Sequence, residues 1–147
     1  MDDNRALGNA GAPTRLPAGD KTYLVSACTK RVQSDFQEWL KERAKREVLN
    51  IPQLSPDQVG TALAKIAQDA SAGVYGWNGP AGLKARGTYD GISQLLYLLL
   101  RRDQPQITEE EVEDILELHT SAAADAVKEA IDRGNRRSAT PPAGAAR

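Results

Sequence analysis

With one cysteine, one histidine, one methionine and one phenylalanine among 147 residues, this chain has little of the equipment most protein chemistry uses. Cys28 has no second cysteine with which to close an internal disulfide. His119 and Cys28 together are too few for zinc, whose sites draw several such ligands from a chain. No serine or cysteine nucleophile stands in a motif that would enlist His119 as a base, and that residue falls on an apolar helical stripe, where a packed imidazole bonded to a backbone carbonyl is the expected state. Neither sign of charge dominates: 19 Lys and Arg against 20 Asp and Glu leave a net charge of -1, so there is no global pull toward nucleic acid or an anionic membrane. The leucine-rich block ending at Leu98–Leu100 is far below the roughly 20 apolar residues of a membrane-spanning helix. The N-terminus MDDNRALGNAGAP lacks the apolar core of a secretion signal. These absences predict a soluble, cytosolic, non-enzymatic protein with no catalytic residue, no cofactor and no metal.

What is present is helical patterning. Leu95, Leu96, Leu98, Leu99 and Leu100 leave almost no polar side on their segment, as expected of a core helix. Arg101 and Arg102 complement its carbonyl end, and Gln104 before Pro105 disfavours its continuation. Thr108 followed by Glu111 predicts a capping box, with the carboxylate reaching back to the amide of Thr108. Val32, Phe36, Leu40, Ala44 and Val48 recur every four residues, with Trp39 beside them. Ser55, Pro56 and Gln58 mark another helix start, followed by the apolar face Val59, Leu63, Ile66, Ala67 and Ala70. The final stripe, Val112, Leu116, His119, Ala123, Ala126, Val127 and Ala130, is expected to end at Gly134.

The expected fold is therefore all-α: a small single-domain bundle of about four helices at 30–49, 56–71, 89–102 and 109–133. Burial should peak at Phe36, Leu40, Leu63, Ile66, Leu95, Leu96, Leu99, Val112 and Leu116. Residues 1–20 and 134–147 are rich in Gly, Ala and Pro without periodicity and read as flexible tails around a helical domain of 21–133. KTYLVSACT permits one short N-terminal strand, for which no partner strand is evident.

The segment GVYGWNGPAGLKARGTYDG places glycines at 73, 76, 79 and 82, which fits neither a dinucleotide fingerprint nor a P-loop. It reads as a shaped loop in which Tyr75 and Trp77 pack back on the helices. The acidic cluster Glu109 to Glu117 lacks the Asp/Asn spacing of a calcium loop and reads as a solvated helix start. Lys41, Arg43, Lys45 and Arg46 form a basic cluster, but Glu38, Glu42 and Glu47 interleave with it, so mutual pairing is expected and nucleic acid is an unlikely ligand.

The run YLVSACTKRVQSDFQEWLKERAKREV, then LSPDQV, a Trp and Gly loop, and LLYLLLRRDQPQITEEEVEDIL resembles the tail assembly chaperones of long-tailed bacteriophages and gene transfer agents over residues 22–118. The resemblance implies a helical, non-enzymatic protein that binds the tape measure protein and helps recruit tail tube protein. It implies action in the host cytoplasm and absence from the mature virion. The candidate partner-binding residues are Tyr75 and Trp77 in the loop and Ala44 and Val48 at the end of the first helix. Two other classes compete: a helical nucleic-acid-binding phage protein using the basic cluster, and a self-associating head or tail connector.

Overall fold

The computed structural model describes residues 13–139. In chain order these form β1 (Thr14–Ala18), β2 (Lys21–Val25), α1 (Lys30–Leu49), α2 (Pro56–Ser71), α3 (Pro80–Ala85), α4 (Tyr89–Leu100), α5 (Glu109–Leu118) and α6 (Thr120–Ala139). This corrects the four-helix bundle: among the described residues there are six helices and a two-stranded antiparallel hairpin. They fall into two compact units, one from the described part of Met1–Val32 with Tyr89–Arg147 and one from Gln33–Thr88. We call these the hairpin unit and the Trp77 unit.

In the hairpin unit, Thr14 pairs with Val25 and Ala18 with Lys21, so Gly19 and Asp20 make a two-residue turn. Gly19 has φ +69° and Asp20 does not have a positive φ, an arrangement that calls for glycine at the first turn position. The tail expected over 1–20 thus contains a strand, with Leu16 buried; residues 1–12 and 140–147 lie outside the described residues.

The partner that β2 takes on its other side is a side chain. Leu24 donates its amide to Oε1 of Gln104 at 2.7 Å, and Gln104 Nε2 donates back to the Leu24 carbonyl at 3.1 Å. A carboxamide has the donor and acceptor of a peptide group, so Gln104 bonds this strand as one residue of a neighbouring strand would.

Beyond β2 the backbone is tied to two helices: Ser26 donates to the Leu99 carbonyl at 3.1 Å and Cys28 to the Ala130 carbonyl at 2.9 Å. The second tie explains Gly134. This residue does not end α6, which runs through it to Ala139; it is glycine because any side-chain carbon there would overlap the carbonyl oxygen of Cys28. It is a close-approach glycine.

Around these ties the apolar core closes. Leu95, Leu96, Leu98, Leu99 and Leu100 are all buried, together with Val112, Ile115, Leu116, Ala123, Ala126 and Ala130. The long helix expected over 109–133 is broken at His119, where the backbone turns to φ -136°, ψ 48°. The Thr120 hydroxyl donates to the Leu116 carbonyl that the break leaves without a helical amide.

At the start of α5 the Thr108 hydroxyl accepts the amide of Glu111 at 3.1 Å, but the expected return bond gives way to tertiary partners. Glu111 Oε2 instead accepts the Tyr23 hydroxyl at 2.6 Å and lies 3.6 Å from Lys21 Nζ. A phenol and an ammonium stabilise a carboxylate more than one more backbone amide does.

Candidate partner-binding cleft in the Trp77 unit

The Trp77 unit has a small core. α1 buries Phe36 and Leu40, and α2 buries Ile66 alone. Leu63, expected among the core residues, is only half-buried, as are Val59, Ala44 and Val48. The start of α2 is well formed: Ser55 Oγ accepts the Gln58 amide at 3.2 Å, and Gln58 Oε1 accepts the Ser55 amide at 2.8 Å. The thin core therefore reflects how little apolar surface faces these helices, not poor helix formation.

The loop between α2 and α3 adds a large ring to this core. Trp77, expected to pack back on the helices and also named as a candidate partner contact, is 6% exposed. Its ring meets Phe36 edge-on at 5.6 Å between centroids, and the Arg86 guanidinium lies 4.1 Å from its centroid. Its amide donates to Gln37 Oε1 at 2.6 Å, and its carbonyl accepts from Arg86 at 3.1 Å. The ring and both backbone groups are thus engaged within the unit, so Trp77 is a core residue.

The glycine spacing of three now has a physical account. Gly76 donates to the Gly73 carbonyl at 3.1 Å and Gly79 to the Gly76 carbonyl at 2.9 Å, so the chain winds in successive tight turns. A side chain on Gly79 would overlap the Gly73 carbonyl, and one on Gly82 would overlap that of Gly76. Only Gly73, with φ +85°, is required for its left-handed backbone; Gly79 and Gly82 are required for space.

Over this knot lies a cleft of about 270 Å3 whose apolar lining includes Leu40, Ala44, Tyr75, Ala81 and Ala85, with Arg43, Glu47 and Lys84 around it. The structure therefore brings together two of the four expected site residues, Ala44 and Tyr75. Val48 lies outside the cleft lining, and Trp77 is in the core. Near the same helix end, Leu49 is 61% and Ile51 43% exposed, and on α3 Leu83 is 54% exposed. Sequence reasoning missed the alanines of α3, whose signal was Pro80 at the first helical position after Gly79.

The basic cluster is largely paired within α1: Lys41 with Glu38 at 3.1 Å, Arg43 with Glu47 at 3.4 Å and Lys45 with Glu42 at 3.3 Å. Arg43 also lies 5.1 Å from the Trp39 ring centroid. Among the described residues no three His, Cys, Asp or Glu side chains gather as a metal site would, and no helix is long and apolar enough to cross a membrane. His119 ends α5 and is partly exposed.

Comparison with protein-family models, with curated proteins and with solved structures finds no match to this chain.

Proposed function

We propose that this protein is a non-enzymatic assembly chaperone of the long-tailed phage type, which holds a helix of a long partner, the tape measure protein, and helps tail tube protein join it. The observation that carries the reading is the apolar-lined cleft of the Trp77 unit, with Ala44 and Tyr75 in its walls and unburied leucine and isoleucine near the end of α1. A groove of this kind takes the apolar anchors of an amphipathic helix, spaced at three and four residues. Charge is a poor substitute, since Lys41, Arg43 and Lys45 of α1 are engaged by its own glutamates. The proposed place of action is the host cytoplasm, and the protein leaves before the particle is complete.

Co-expression with the candidate tape measure protein tests this. The partner should be soluble with the chain and insoluble without it, and Ala44→Asp or Tyr75→Ala should abolish or reduce that rescue while leaving the fold intact. Affinity should change little between 50 and 200 mM salt; a fall of about 10³-fold or more would point to phosphate-type contacts and a nucleic-acid ligand. Equal partner solubility with and without the chain would refute the chaperone reading, and its presence in purified particles would favour the connector reading.

A further inference from the structure

A second surface, on the hairpin unit, has a different chemistry. Leu118, the last residue of α5, is 76% exposed, the most of any large apolar side chain among the described residues. It is not isolated: with Ala18, Tyr23 and Ile115 it lines a cleft of about 240 Å3, and Glu111 and Asp114 stand at the same site. The surroundings are strongly acidic. From Asp103 to Val127 the sequence has eight Asp and Glu and no Lys or Arg. Lys21 Nζ lies 3.6 Å from Glu111 of this run. Glu113, Asp114 and Glu117 are exposed, and Tyr89, half exposed, has its hydroxyl pKa raised by desolvation and by the charges of Glu117, Glu113, Asp90 and Asp114.

We propose that the exposed face of α5, with Leu118 at its end, docks a basic amphipathic helix. Charge complementarity selects the occupant: an apolar side chain enters beside Leu118 while lysines or arginines face the carboxylates. Periodicity selects its conformation. Glu110 and Asp114, and Glu113 and Glu117, repeat every four residues, about 6 Å along the axis, the repeat of cations at i and i+4 on a facing helix. This surface shares no residue with the cleft of the Trp77 unit, and the inference does not rest on the chaperone reading.

The test uses the full chain and two labelled 14-residue peptides, one of leucine and lysine at helical spacing, the other with glutamate in place of each lysine. Anisotropy at 50 mM salt should show the lysine peptide at least about tenfold tighter, a difference of about 1.4 kcal/mol. Glu113→Gln with Asp114→Asn and Glu117→Gln should remove that preference. A control of equal net charge, Glu38→Gln with Glu42→Gln and Asp57→Asn, should retain it. Leu118→Ser, at a site too exposed to disturb folding, should weaken binding severalfold. Equal binding of both peptides, equal loss in the control variant, or full binding by Leu118→Ser would each overturn the proposal. So would sedimentation showing that Leu118→Ser converts a dimer to a monomer, because the face would then belong to a second copy.

Discussion

In the hairpin unit α4 buries five leucines, whereas in the Trp77 unit α2, longer and also amphipathic, buries Ile66 and leaves Val59 and Leu63 half covered. Both sequences carry apolar helical surface, a stripe on α2 and almost every side of the leucine segment of α4. They differ in what that surface meets: α4 has a hairpin and two helices around it, while the Trp77 unit has a glycine-rich loop with one buried aromatic ring. An amphipathic pattern thus specifies a helix and an apolar side, but only the facing elements decide whether that side is filled from within the chain. Surface left unfilled near ordered helices is where a partner adds most.

The largest expected effect bears on the thinner core. Trp77→Ala should cost about 3–5 kcal/mol, as ring removal from a packed site does. Hydrogen exchange should then show lost protection concentrated in residues 33–88. Uniform loss over the whole chain would erase the distinction between the units. Leu96→Ala, in the fuller core, should cost about 2–5 kcal/mol in a denaturant series, while Leu63→Ala should cost less than about 1 kcal/mol. Equal costs would mean that Leu63 is as enclosed as Leu96.

Gly79→Ala places a methyl on the Gly73 carbonyl and should destabilise by about 1–3 kcal/mol, whereas Gly60→Ala, where nothing lies within 4 Å, should be neutral or stabilising. The pair separates the packing knot from mere loop flexibility.

A pH-dependent effect lies in the hairpin unit. Burial and the Glu111 hydrogen bond push the Tyr23 hydroxyl from 10.0 up to about 12. A raised pKa favours the protonated phenol in the fold, so its contribution is complete below pH 10 and fades as pH rises toward about 12. Tyr23→Phe should cost about 1–2 kcal/mol near neutrality and flatten stability between those limits in urea titrations.

The sequence makes some of this contrast legible and hides the rest for identifiable reasons. α1 and α2 have the expected limits because their signals are local: a four-residue apolar ladder, and a Ser–Pro–Asp–Gln start whose bonds close within one turn. The hairpin escaped notice because TRLPA contains a proline and few strand-forming residues, although Gly19–Asp20 is a turn signal once Tyr23 and Val25 are set against Leu16. The break at His119 has no glycine or proline to announce it. Gly134 was misread because a glycine that admits a neighbouring carbonyl and one that ends a helix look identical in one dimension. At the candidate cleft, helical periodicity identified Ala44, and the packing of Trp77 back onto the helices was legible, while its separate listing as a partner contact was not supported because an aromatic in a glycine loop does not declare how fully the loop encloses it.

The carboxamide of Gln104 has a consequence for behaviour at high concentration. A two-stranded sheet with an open border is a template on which a strand from another molecule can add, and repeated addition builds fibrils. Here the border of β2 is sealed at Leu24 by Gln104 and at Ser26 by the end of α4, leaving an interval around Thr22 too short to seat an intruding strand. Gln104→Ala would unseal this border and open a route to ordered aggregation along it.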